Sequence, residues 1–178
     1  MSHQKDIELS EHLKAAVYGA NDGIITTFAV VSGVVEANLP VQVVIVLGIA
    51  NMVGDGISMG LSNYLGERSQ RRFWNKHKKP PSFDSSIWHS GAITFIAFNF
   101  AGILPLAPYL LGFIGEPLLN PFPLSIISTG IALFFIGSLR TILTDGHWWL
   151  NGLEMLSVGT LAAVAAYLTG SFIDRLIS

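Results

Sequence analysis

VQVVIVLGIANMVGDGISMGLSNYL, residues 41–65, is the stretch on which the reading of this chain turns. As an α-helix it would run roughly 37 Å at ~1.5 Å per residue, enough to cross a hydrocarbon core of about 30 Å. Yet it carries a polar stripe that a purely lipid-facing helix should not have. Asn51, Asp55, Met59, Asn63 and, just beyond the stretch, Glu67 stand four apart, with Ser58 and Ser62 beside them. Residues four apart share a helix face. Each step drifts by roughly 40°, so the stripe winds slowly over about 24 Å. Ionisable groups at such depth are costly and by default mark a substrate or ion path.

Composition supports a membrane chain. Of 178 residues, 51% are hydrophobic and 12% charged, against about 25% charged in soluble domains. The mean hydropathy is +0.53. The net charge of −2 says little, because the charges are clustered. The chain has no cysteine, which excludes disulfides, thiolate metal sites and cysteine nucleophiles. Residues 1–14 are polar and mixed in charge, unlike a secretory signal or an Arg-rich transit peptide.

Five stretches are long and apolar enough to span: about 15–35, 41–65, 87–113, 124–143 and 153–173. They predict an all-α integral membrane protein in one transporter domain, with antiparallel neighbours joined by short connections. Pro105 and Pro108 should kink or end the third span. Arg68, Arg71, Arg72, Lys76, Lys78 and Lys79 crowd the connection 66–86, Lys5 and Lys14 precede the first span, and Arg140 ends the fourth. Only Arg175 falls on the other side. The positive-inside bias therefore predicts a cytoplasmic N-terminus and basic loop, with an extracytoplasmic C-terminus. The basic loop is also of the kind that binds anionic headgroups. Trp74, Trp88, Trp148 and Trp149 fall near predicted span ends, as interfacial anchors do.

Asp22 lies several residues inside the first span, between Asn21 and Gly23. It is either the N-cap of a helix that begins near Gly23 or a buried carboxylate on a polar path. Asp55 either faces the same path or bonds a neighbouring helix end. Met59 is either packing or a soft ligand. The candidate metal-binding set is Asp22, Asp55, Met59, Asn51, Asn63 and Glu67. Oxygen donors with one thioether suit Fe²⁺, and after it Mn²⁺ or Co²⁺. His77, His89 and His147 are weak candidates, because they form no cluster in the sequence. Glu36 and Glu116 fall in extracytoplasmic connections, where acidic groups help release a cation. Gly19–Gly23 and Gly56–Gly60 are GxxxG pairs, which lead us to expect close packing of the first and second helices or a dimer seam.

The chain resembles the vacuolar iron transporter family. The resemblance rests on Asn21-Asp22-Gly23 followed by Thr27-Phe28-Ala29 and Gly33, and on Gly54-Asp55-Gly56-Ile57-Ser58-Met59-Gly60 with Tyr64-Leu65. Leu104-Pro105-Leu106, Pro108-Tyr109, Gly152-Leu153-Glu154, Ala166-Tyr167 and Gly170 extend it over nearly the whole chain. It implies five transmembrane helices, a homodimer with a path at its interface, and export of Fe²⁺, sometimes Mn²⁺, from the cytosol in exchange for protons. Asp22 and Met59 match the family's intramembrane metal-binding aspartate and methionine. The chain departs from many members in its short, basic connection 66–86, which has no room for a Glu-rich metal-binding domain. Asn51 and Asn63 also stand where some members are acidic.

A metal-dependent intramembrane enzyme and a passive cation channel are the alternatives. No HExxH and no Asp-rich phosphatidyltransferase pattern favours an enzyme. No cofactor and no nucleic-acid partner are expected; the partners are lipid, divalent cations, protons and a second copy. The compact length favours a bacterial plasma membrane, with a vacuolar membrane the expectation for a eukaryotic source.

Overall fold

The computed structural model describes residues 2–77, 87–115, 120–142 and 146–177. It contains α1 (Ser2–Glu36), α2 (Val41–Lys76), α3 (Ile87–Ile114), α4 (Phe122–Leu139) and α5 (Trp148–Ile177), with a 3-10 turn at Arg140–Ile142 after α4. The helices run past the expected spans. α2 continues through the basic residues to Lys76, so part of the predicted loop is helix. Residues 78–86, with Lys78 and Lys79, and Glu116 lie outside the described residues.

Four helices, α2 to α5, are apolar enough along their length to cross a membrane. α1 falls short on composition, because its polar N-terminal half and the pair Asn21–Asp22 interrupt the apolar run. Its packing answers for it. α1 touches all four other helices, most extensively α3. Around it α2 packs on α3, α3 on α4 and α4 on α5, whereas α2 and α5 have no substantial contact. The sheath around α1 is thus open between α2 and α5. One core cluster joins Ala20 and Ile24 of α1 to Ala101, Ala132, Leu133 and Met155; a second joins Val31 and Val34 to Val44, Leu106 and Tyr109. Outward positions such as Phe100, Ile114 and Leu161 are large, apolar and exposed, as a lipid-facing surface requires.

The glycine pairs do not serve the contact expected of them. A Cβ on Gly19 would stand 2.6 Å from the carbonyl oxygen of Thr94, and one on Gly23 would meet the carbonyl of Phe98. A Cβ on Gly60 would stand 2.8 Å from the carbonyl oxygen of Gly91, and one on Gly56 would meet the Asn99 amide. Both pairs therefore face α3. They let α1 and α2 approach a common third helix, leaving neither pair free for a narrow path between α1 and α2 or for a dimer seam.

Pro105 and Pro108 do not end α3, which continues to Ile114. Each proline removes one N–H and so frees a carbonyl four residues earlier. Pro108 frees the carbonyl of Leu104, and Ser128 of α4 donates to it at 3.1 Å. Ser125 donates to the carbonyl of Pro105 at 2.6 Å. At Pro108 a neighbouring helix thus re-satisfies the interrupted ladder, which is how membrane helices tolerate proline.

Candidate metal path on the open side of α1

α1 is continuous from Ser2 to Glu36, so Asp22 is not a cap. It sits mid-helix and half-buried, and Thr26 donates to its backbone carbonyl at 2.8 Å. Four residues earlier on the same face, Tyr18 is 64% exposed, which places this face at the opening of the sheath. Asp55, on α2, is exposed and accepts no hydrogen bond from a described residue, so it does not bond a neighbouring helix end. The two carboxylates lie within each other's field: Asp22 experiences like-charge repulsion from Asp55.

The rest of the stripe divides. Asn63 is tied to α3; its Nδ2 donates to Ser90 Oγ at 3.1 Å and to Thr94 Oγ1 at 2.8 Å. Both amide hydrogens are then used, and only its Oδ1 remains to meet a cation. Among the described residues, Asn51 has a buried Nδ2 without a partner, and Glu67 a buried, unpartnered Oε2. Met59, one turn from Asp55, is half-buried. Reasoning from the sequence left Asn21 out of the candidate set. Its Oδ1, next in sequence to Asp22, is buried without a partner among the described residues. Its position next to Asp22, in a span otherwise apolar, was the available signal.

Among the described residues no group of three or more His, Asp or Glu is close enough to hold a metal ion. The arrangement within one chain is two carboxylates in mutual range and a half-buried thioether, with the amide atoms Asn21 Oδ1 and Asn51 Nδ2 buried and without a partner among the described residues. A cavity of about 390 Å³ between α1, α4 and α5 lies elsewhere: its lining includes Phe28, Leu133 and Tyr167 but neither carboxylate. At the far end of α1, Glu36 lies within electrostatic reach of Tyr167 of α5. Glu154 pairs with Arg140 at 3.3 Å.

Comparison with known proteins agrees with this architecture. The VIT family profile matches residues 13–82 and 75–171, breaking at the α2–α3 connection. The chain is 28% identical over 223 aligned positions to a vacuolar iron transporter of Plasmodium berghei (strain Anka), covering 90% of this chain and 81% of that protein. It is 28% identical over 230 positions to the vacuolar iron transporter of Plasmodium falciparum (isolate 3D7), covering 94% and 84%. It is 22% identical over 213 positions to vacuolar iron transporter 1 of Oryza sativa subsp. japonica, covering 88% and 83%. Each alignment is longer than this chain, so these relatives carry residues that it lacks. With the match spanning both halves of the bundle and both aspartate motifs, the chain belongs to the VIT family.

Proposed function

We propose that this chain moves a divalent transition metal, Fe²⁺ and secondarily Mn²⁺, out of the cytosol in exchange for protons, as a homodimer. The observation that carries the proposal is the pair Asp22 and Asp55, two like charges in mutual range on an uncovered flank of apolar helices. Exposed to lipid, such a pair is costly. A second copy laid on the opening between α2 and α5 would enclose it, and two-fold symmetry would double the donors around one axis. The incomplete donor set of a single chain supports this reading. So do the names of the relatives, which are vacuolar iron transporters.

In this mechanism the metal enters from the basic, cytoplasmic end past Glu67 and the free Oδ1 of Asn63. It binds between Asp22, Asp55, Met59 and the Asn51 amide. A divalent cation would relieve the like-charge repulsion between the two carboxylates. Protons arriving from the other side compete for the same carboxylate oxygens and release the metal. The N-terminus lies in the cytoplasm and the C-terminus outside. The membrane is the bacterial plasma membrane by our expectation; the relatives' names favour a vacuolar one, and a fluorescent fusion in the source cell decides between them.

The test is metal-dependent quenching of an entrapped dye in proteoliposomes, with and without a pH gradient. The proposal expects Fe²⁺ flux that rises with the gradient and acidifies the opposite compartment. Flux indifferent to the gradient would make the protein a passive channel. No flux from protein shown to be folded and dimeric would end the transport reading.

A further inference from the structure

We propose that the groove between α2 and α3, together with the basic continuation of α2, holds an anionic phospholipid on the side of the membrane where that continuation emerges. The groove has a volume of about 310 Å³ and is lined by Ile57, Leu61, Tyr64, Trp88, Ala92 and Phe95 over a floor of Gly60 and Gly91. The glycines make it deep: a Cβ on Gly91 would stand 2.6 Å from the carbonyl oxygen of Gly60, so the two backbones touch and no side chain fills the space above them. Tyr64 and Trp88 stack at the basic end of the groove, with ring centroids 4.3 Å apart. Stacked aromatic rings of this kind sit at headgroup level.

Arg68 follows Tyr64 by four residues and Leu61 by seven, and Arg72 follows by four more. At 100° per residue, both continue the groove-lining face of α2, about 6 and 12 Å beyond Tyr64. Both are exposed, and neither forms a salt bridge with a described residue. The neighbouring acidic Glu67 has its Oε2 buried and forms no salt bridge with them. Apolar groove, aromatic pair and two guanidinium groups thus follow one another along one face, in the order chain, glycerol level and phosphate of a lipid. Leu61 stands about 120° around α2 from Asp55, so the groove is on the flank opposite the carboxylates. It faces lipid whether or not a second copy covers the opening by Asp22. Arginine is suited to phosphate through bidentate bonds, and a basic juxtamembrane cluster favours anionic over zwitterionic headgroups.

The test places the full-length protein in phosphatidylcholine nanodiscs containing a minor fraction of brominated-chain phosphatidylglycerol or brominated-chain phosphatidylcholine. Quenching of Trp88 is read as the difference between the native protein and Trp88→Phe. Brominated phosphatidylglycerol should quench at about fivefold lower mole fraction per participating arginine. The double substitution Arg68→Gln, Arg72→Gln should bring the two lipids level. Ala92→Phe, which fills the groove and leaves the arginines, should protect Trp88 from both lipids. Equal quenching of the native protein by the two lipids would overturn the proposal. So would loss of the preference on adding soluble glycerol phosphate at constant ionic strength, because the arginines would then bind a free anion without a chain. None of these readings involves metal flux, so they stand or fall apart from the transport proposal.

Discussion

The two halves of the bundle treat polar side chains in opposite ways. In α4 and α5 the hydroxyls turn back on their own helix: Ser138, Ser157, Thr160 and Thr169 each donate to the carbonyl four residues earlier at 2.8 Å. In α1 and α2 Thr26 and Ser69 back-bond in the same way, but amides and carboxylates stand there too, and Asn21 Oδ1, Asn51 Nδ2 and Glu67 Oε2 are buried with no partner among the described residues. Of the seven buried polar atoms without a partner among the described residues, five belong to α1 and α2. The difference is chemical. A hydroxyl has one hydrogen and a short reach, so its own helix satisfies it in lipid at little cost. A carboxylate offers no hydrogen to a backbone carbonyl, and an amide carries more donors and acceptors than one turn can meet. Similar polarity in the two halves therefore has different consequences: in one it is silenced locally, and in the other it waits for a ligand or a partner. Hydroxyls depart from this pattern at Thr27 in α1 and Thr129 in α4, whose Oγ1 atoms are buried without a partner among the described residues, and at Ser125, which donates across to Pro105 of α3.

The largest expected effect that would break this contrast is at Asp22. Asp22→Asn keeps the shape and should reduce metal flux in proteoliposomes to background, while circular dichroism and gel filtration stay native. Retained flux would remove Asp22 from the path. Next come the close contacts that hold the unspent groups in place. Gly23→Val drives a branched side chain into the Phe98 carbonyl and should cost about 1–3 kcal/mol or more. Gly66→Ala, where a Cβ would meet nothing within 4 Å, should be neutral or stabilise by about 0.5–1 kcal/mol. Equal melting temperatures for the two variants would mean that the α1–α3 approach is looser than described.

A double-mutant cycle sharpens the pairing of the carboxylates. If Asp22 and Asp55 share one cation, the metal-binding losses of Asp22→Asn and Asp55→Asn should be non-additive by about 0.5–3 kcal/mol in isothermal titration. Strict additivity would place them on separate ions. Met59→Leu should change ion preference more than rate, lowering Fe²⁺ relative to Mn²⁺ in competition flux; an unaltered ratio would leave the sulfur as packing. The smallest effect belongs to the silenced half. Thr160→Val and Thr169→Val should leave flux unchanged and stability within about 0.5 kcal/mol. A loss of flux there would erase the distinction between the halves.

Much of the fold is legible in the chain itself. Span length, hydropathy and proline positions lead to five helices, because each is a local property of one segment and its solvent. The α1 span needed more, since Asn21 and Asp22 dilute its hydropathy and its enclosure by four neighbours compensates. The polar stripe on α2 is equally legible, because a period of four is a statement about one helix face. The fate of each residue on that face is not. Asn63 and Asp55 look alike in spacing, yet one is bonded to Ser90 and Thr94 and the other is exposed.

The chain alone therefore determined that it crosses a membrane in helices, and which side chains travel at costly depth, since periodicity and transfer energies act within a segment. Only the packed bundle decided that both glycine pairs serve α3, that Asn63 is structural in its two amide hydrogens, and that Asp22 and Asp55 come into each other's field on an open flank. Those outcomes depend on which face meets which neighbour. A helix repeat fixes the direction of a side chain about its own axis and says nothing about what stands opposite.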